Sequence, residues 1–306
     1  VTHRTWAALT FLLAASPALA APILTAAVAP YDHILLIIEE NQEYPEIIGD
    51  TTNAPNINAY AKTYGLATSY DSVTHPSAPN YVALMGGSFF GIHDDNAWQT
   101  HKQKQPDLTS QIDAATLSWK GYFQSMPKAG YKQNCSPGPC YYASKHNGPI
   151  YYDSVNGSKA ELKKEVPITK LAADLAGKMP RFSVIVPDLC HDMHGGTGSC
   201  ANDTNAQLIA AGDSYAASLV SDIMAAPFWA KGNNAIVLVW DEGSSNQGGG
   251  GHVPAIVITN NGPRALQDAT SYSHYGLLAT IQAAFGLGCL QNSCTATPLA
   301  ALFAHP

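Results

Sequence analysis

Ala235-Ile236-Val237-Leu238-Val239-Trp240 runs without a polar residue and stops at Asp241-Glu242. An apolar, β-branched run of this length with polar ends reads as a strand buried on both faces, the signature of a parallel sheet. Adjacent carboxylates at its carboxyl end stand where open α/β sheets hold their ligands. Taken alone, the pair equally suits a strand that closes in a solvated acidic turn. Beyond it, segment 242–251 carries five glycines and reads as a loop rather than an interdomain linker. His252-Val253-Pro254 and a second apolar run, Ala255 to Ile258, follow.

Two further segments share this grammar. His33-Ile34-Leu35-Leu36-Ile37-Ile38 ends in Glu39-Glu40-Asn41, and Phe182-Ser183-Val184-Ile185-Val186-Pro187 ends in Asp188, followed by Cys190-His191-Asp192-Met193-His194-Gly195. Helical periodicity appears from Asn205 to Ala226 and from Tyr275 to Phe285. Strands alternating with helices predict an α/β fold with a mainly parallel central sheet and helices on both faces. The stretch 94–156, rich in Tyr, Gln, Lys, Gly and Pro, is expected to be an insertion over the sheet edge that borders a substrate site. No internal repeat is evident.

The chain has 306 residues, 46% hydrophobic and 13% charged, enough for a single sizeable domain over 21–306. Residues 1–20 carry Arg4, an apolar stretch from Trp6 to Ala15 and then Ser16-Pro17-Ala18-Leu19-Ala20. This is the pattern of a secretory signal peptide, too short to span a bilayer, and it predicts a periplasmic or extracellular protein without stable membrane association. The six cysteines fall into close pairs, Cys135 with Cys140, Cys190 with Cys200 and Cys289 with Cys294, which argue for local disulfides behind such a signal. Zinc ligation is disfavoured because none of the spacings is Cys-x-x-Cys. A net charge of −7, with no basic patch, excludes a nucleic-acid binder.

All three strand ends lie on one edge if the sheet is parallel: Glu40 with Asn41, Asp188 with Asp192, and Asp241 with Glu242. So many carboxylates repel one another unless a cation sits among them. A fourth element, His75-Pro76-Ser77-Ala78-Pro79-Asn80-Tyr81, places a serine just before a helix start, where free backbone N–H groups suit a phosphate. Serine becomes a nucleophile only with help, and a divalent metal can supply it.

With these residues in view, the chain resembles the phosphoesterase family of bacterial acid phosphatases and phospholipases C, within the alkaline phosphatase-like superfamily. Ile37-Ile38-Glu39-Glu40-Asn41 is similar to the family's opening strand, which assigns Glu40 and Asn41 as metal ligands. Ser77-Ala78-Pro79-Asn80-Tyr81 resembles the nucleophile turn, with Ser77 as nucleophile and metal ligand and Asn80 as donor to a phosphate oxygen. Lys145-His146-Asn147 resembles a substrate-facing segment, which implicates Lys145 and His146. Asp241-Glu242 and His252-Val253-Pro254 match the late metal-ligand segment. Asp188 and Asp192 stand where the superfamily has an Asp followed by a His, and Glu242 stands where alkaline phosphatases have a His. That exchange of imidazole for carboxylate favours Ca, Mg, Mn or Fe over Zn, with one or two ions bound.

The resemblance implies a small phosphorylated substrate, most simply a phosphate monoester cleaved by a secreted, broad-specificity acid phosphatase through a phosphoserine. His194 and His146 are both candidates to protonate the leaving group. A phospholipase C-like diesterase is the alternative. The shortness of the chain after its last helix, beside the larger phospholipases C, favours the phosphatase. A metal-independent serine esterase would need a Gly-x-Ser-x-Gly elbow that this sequence lacks, and would leave the acid pairs unexplained. A binding protein with a dead site would have no reason to keep Ser77 and every acid. His33 is expected to be structural, His274 to cap or support, and Asp94-Asp95 to be a solvated turn.

Overall fold

A computed structural model describes residue 1 and residues 28–134 and 141–305. The expected signal peptide and the Cys135–Cys140 pair lie outside the described residues. In chain order the strands are β1 (His33–Glu39), β2 (Gly65–Ala67), β3 (Tyr70–Asp71), β4 (Trp119–Phe123), β5 (Glu165–Pro167), β6 (Phe182–Val186), β7 (Asn234–Trp240), β8 (Ala255–Thr259), β9 (Leu266–Asp268) and β10 (Tyr272–Ser273). Eight form one sheet in the order β5-β4-β6-β1-β7-β8-β2-β9, and β3 pairs with β10 beside it.

The three strands read as apolar runs form its centre. β1 lies parallel between β6 and β7, with Ile37 opposite Ile185 on one side and Leu238 on the other. Ile34 to Ile38 and Ala235 to Trp240 are fully buried, as strands covered on both faces require. Each such Ile or Leu contributes roughly 1.5–3 kcal/mol by leaving water. The strand ends at Glu40, Asp188 and Asp241 therefore share one edge, as the sequence predicts. β8 is an exception to the parallel rule, running antiparallel to β7 and to β2. The chain returns from β7 to β8 through residues 241–254, with no helix of crossover length between the two strands, and the glycine-rich stretch 243–251 lies in this loop.

The expected helices form at Asn205–Ala225 and His274–Ala284. The first is opened by a capping box in which Thr204 and Gln207 satisfy each other's backbone N–H. The expected insertion over 94–156 needs correcting, because part of it is sheet. Trp119–Phe123 forms β4, parallel to both β6 and β5. Its Trp-Lys-Gly-Tyr-Phe sequence carries strand-favouring aromatics, but Lys120 and Gly121 interrupt the apolar run that marks the central strands. Cys190–Cys200 and Cys289–Cys294 are disulfide-bonded, with Cα atoms 5.5 and 4.9 Å apart. Among the described residues, no helix is long and apolar enough to cross a membrane.

Candidate active site and metal centre

Ser77 is the first residue of the helix Ser77–Gly86, whose residues are all buried. Pro79 falls in its first turn, where a missing N–H costs nothing, and Gly87 closes it in the left-handed region at φ 75°. A Cβ at Gly87 would come within 2.2 Å of Leu290 O, so only glycine fits. The Ser77 hydroxyl lies 3.0 Å from Glu40 Oε2 and 2.9 Å from Glu242 Oε1. One proton thus faces two carboxylates, one from the end of β1 and one from the end of β7.

The turn before Ser77 is held by Asn80. Its Oδ1 accepts from Ser72 Oγ at 2.9 Å and Thr74 N at 3.2 Å, while its Nδ2 donates to Thr74 O at 2.7 Å and Pro76 O at 3.3 Å. Both amide hydrogens are spent on backbone, so Asn80 shapes the nucleophile turn rather than offering a donor to phosphate. The glycine-rich loop presses on the same turn: Ser72 N donates to Gly251 O at 2.9 Å, and a Cβ on Gly250 would lie 2.4 Å from Thr74 O. The glycines are there for close approach.

Around Glu40 several buried polar atoms are left without hydrogen bonds among the described residues. His146 Nε2 lies 3.1 Å from Glu40 Oε1, and His146 Nδ1 lies 3.5 Å from Asp192 Oδ2. Among the described residues, Glu40 Oε1, His146 Nε2, Asp192 Oδ2 and Asp241 Oδ2 all lack a hydrogen-bond partner. Burial, opposed by the Lys145 ammonium, pushes the Glu40 carboxyl up to about 8. Burial and then the neighbouring Glu40 charge drive Asp192 and Asp241 well above the usual carboxylate range. His146 goes the other way, well below the usual histidine value, through burial and then the Lys145 and His194 charges. Ligand atoms of Glu40, His146 and His194 lie within 4.8 Å of one another. Orphaned buried carboxylates beside neutral imidazoles are costly in isolation and fit a divalent cation. The residues present therefore suit the group that the sequence implied.

Other expected ligands are engaged elsewhere. Asp188 is taken up by its own turn, accepting from Ser125 Oγ at 2.5 Å and Cys190 N at 3.2 Å and lying 2.8 Å from His191 Nδ1. The ring of His252 stacks on Tyr44 with centroids 4.4 Å apart, and its Nε2 faces Thr68 O at 3.1 Å. Asn41, at φ 55°, reaches the cluster through its backbone, donating to Asp241 Oδ1 at 3.3 Å. His194 and His146 turn toward Glu40, with ring centroids 5.7 Å apart, and His146 stacks on Tyr81. His146 is thus better placed to hold a cation than to meet substrate. Lys145 lies at the rim, where burial works against its charge yet the Glu40 and Asp95 carboxylates keep its pKa raised.

Three contributors were missed or only partly legible in the sequence. His75 Nε2–H donates to Ser245 O at 2.7 Å and its Nδ1 lies 2.5 Å from Glu242 Oε2, which fixes the carboxylate that faces Ser77. Its position two residues before the serine was the available signal. His274 is the support that the sequence suggested, but its target was not legible: Nε2 lies 2.6 Å from Asp241 O while Nδ1 faces Tyr70 OH at 2.9 Å. Burial lowers it to about 4, so it is neutral. Asp95 is no solvated turn, since its Oδ1 accepts from Ala78 N at 3.0 Å.

A model of the phosphoesterase family matches residues 50–288. The chain belongs to the phosphoesterase family. The match spans Ser77, Lys145, Asp192 and Asp241-Glu242, and begins after Glu40 and Asn41. The chain is 30% identical over 266 residues to a phosphatidylinositol-3-phosphatase of Mycobacterium tuberculosis, covering 85% of this chain and 79% of the relative. It is 28% identical to an acid phosphatase of Aspergillus fumigatus over 81% of this chain, but spans only 53% of that protein. Its named relatives are phosphatases, and hydrolysis of phosphate esters is the reaction class they share. In fold it is similar to an alkaline phosphatase superfamily protein from Vibrio parahaemolyticus, with a TM-score of 0.60 at 9% identity over 90% of this chain and 71% of the other. A sulfatase from Pseudoalteromonas gives 0.57 at 11% identity, over 84% and 68%. The α/β fold of the alkaline phosphatase superfamily, expected from the sequence, is thereby established.

Proposed function

We propose that this member of the phosphoesterase family is an exported, cation-dependent phosphatase that hydrolyses phosphate monoesters through Ser77. The observation that carries the proposal is the Ser77 hydroxyl between Glu40 and Glu242, at the edge where unpartnered carboxylates gather. Glu40, Asp192 and Asp241 with His146 and His194 would hold the cation. Once bound, it supplies Lewis acidity that favours the serine alkoxide and offsets charge on the transferring group.

The chain's own residues do the rest. Glu40 and Glu242 are both placed to accept the Ser77 proton, and His75 keeps Glu242 aimed at it. Serine oxygen then attacks phosphorus in line, the ester oxygen departs, and water releases phosphate from the phosphoserine in a second displacement. Lys145 offers a point charge to the phosphoryl oxygens. Both imidazoles are assigned to the cation, so the site is less purely oxygen-lined than the sequence implied. That weakens the preference against zinc and widens the field to include it. Two disulfides among the described residues and kinship with acid phosphatases support export.

The serine esterase reading loses support from the same geometry. An esterase triad runs serine, histidine, acid. Here the acid lies between, since Glu242 meets both Ser77 and His75. The test is hydrolysis of an aryl monophosphate, a phosphoinositide monoester and a phosphocholine diester, before and after chelation. We expect monoester turnover that chelation abolishes and divalent metal restores. Full turnover after chelation, or a fully active Ser77→Ala variant, refutes the proposal. The mycobacterial relative's name makes the phosphoinositide the monoester to try first.

A further inference from the structure

The backbone N–H next to the nucleophile is already in use by an anion of the chain itself. Asp95 Oδ1 accepts from Ala78 N at 3.0 Å, and Asp95 Oδ2 lies 2.6 Å from Lys145 Nζ. An N–H in the first turn of a helix and a lysine ammonium converging on one carboxylate is the donor set that a phosphate oxygen would seek. The neighbouring Asp94 does not share this role. Its Oδ1 accepts from Asn96 N at 2.8 Å and lies 2.5 Å from His101 Nε2, anchoring the loop from outside.

Asp95 stands in an already acidic place. Its contact with Ala78 N–H lies one residue from Ser77, whose hydroxyl faces Glu40 and Glu242. A further carboxylate there is unfavourable unless its two donors compensate it, and a phosphate bearing more charge competes for both. About a third of the Asp95 side chain is exposed. Rotation of that side chain toward solvent frees Ala78 N–H and Lys145 without any backbone change.

We propose that Asp95 is a resident competitor for the phosphoryl group: its carboxylate occupies Ala78 N–H and Lys145 in the free protein, yields to an incoming phosphate, and returns as product leaves. Asp95 would thereby weaken the hold on inorganic phosphate and limit product inhibition. This rests on the reading of Ser77 and Lys145 given above.

The experiment compares wild type, Asp95→Asn and Asp95→Ala as full chains loaded with divalent metal. It measures inhibition of aryl phosphate hydrolysis by inorganic phosphate and by vanadate, with phosphate binding followed separately by calorimetry. Asn keeps an acceptor for Ala78 N–H while losing the charge that holds Lys145. Both variants should bind phosphate about tenfold more tightly, equivalent to roughly 1.4 kcal/mol of competition removed. The KM for aryl phosphate should fall with it. Unchanged or weaker phosphate binding in variants that melt like wild type would mean that Asp95 merely positions Lys145, and overturns the proposal. Should one variant fail to fold, the other decides. A wild type that neither hydrolyses nor binds phosphate defeats the underlying reading as well, whereas an active, phosphate-inhibited wild type isolates the failure to Asp95.

Discussion

The two ends of the central strands are built on opposite principles. At the amino end, charges and amides meet partners. Arg181 lies 3.2 Å from Asp32 and donates to Tyr31 O at 2.7 Å, His33 Nδ1 faces Pro180 O at 2.8 Å, and Asn234 Nδ2 donates to Lys231 O at 2.8 Å. At the carboxyl end of the same strands, Glu40, Asp192 and Asp241 are buried with oxygens that lack any hydrogen bond among the described residues. The first end leaves over single atoms such as Arg181 Nε and Asn234 Oδ1 among the described residues, while the second leaves over crowded carboxylate oxygens, where a cation would be accommodated. Glu165 is the intermediate case: buried and unpartnered among the described residues, but without a crowd of like charges.

Ser77→Ala tests the contrast most severely. Turnover should fall at least about a thousandfold. The loss of stability should be limited to roughly 1–3 kcal/mol, the worth of the hydrogen bonds that the hydroxyl donates to Glu40 and Glu242, with the fold intact. A variant that lost its fold and activity together would make the carboxyl end structural, like the amino end.

Glu165 separates burial from clustering. Burial raises its carboxyl from a usual 4.5 to about 8, opposed by Asn147 and Lys132. A folded-state pKa above the unfolded one means stability that is full below about pH 4.5 and is lost as pH rises through about 8. At one unit per roughly 1.4 kcal/mol the loss reaches up to roughly 5 kcal/mol. Denaturant titrations should show a shallower pH slope for Glu165→Gln than for wild type over this range, the remainder belonging to Glu40, Asp192 and Asp241, with no change in metal affinity. A Glu165→Gln protein with the same pH slope as wild type would show that clustering matters and burial alone does not.

Cation binding should be worth about 2.7 kcal/mol of stability at a hundredfold excess over its dissociation constant. It should appear as a higher melting temperature on adding divalent metal after chelation. Glu40→Gln should melt higher than wild type without metal, because it relieves repulsion, and should gain little when metal is added. The smallest effect belongs to the amino end. Arg181→Ala should cost roughly 1 kcal/mol, since its ion pair is partly exposed. That loss should be equal with and without metal and should leave turnover unchanged; a metal-dependent cost would dissolve the distinction between the ends.

The division also explains what the sequence could say. Strands buried on both faces must be written in apolar residues, so β1, β6 and β7 were legible with their acidic ends. β4 is also an interior strand, between β5 and β6, but Lys120 and Gly121 in its middle interrupt the apolar run, and it was not legible. Within the site, residue type was a weaker guide than geometry. Asp188 looks no different from Asp192 on paper, but one serves its own turn and the other faces His146. Asn80 has the chemistry of a phosphate donor until its hydrogens are counted. His75 and Asp95 act through contacts that reach across 167 and 17 residues, which no local pattern announces.

The central place of β1 has a consequence for how the molecule comes into being. Its neighbours lie far along the chain, and the contact from Asn41 N–H to Asp241 Oδ1 closes across 200 residues. Nonlocal pairings of this kind form slowly, because the chain must close large loops before any contact rewards it. A chain emerging from its amino end therefore carries Glu40 and Ser77 for most of its synthesis with nothing opposite them. On the roles proposed for Ser77 and Glu242, hydrolytic competence would arrive only with β7, and a chain truncated before it would be inert.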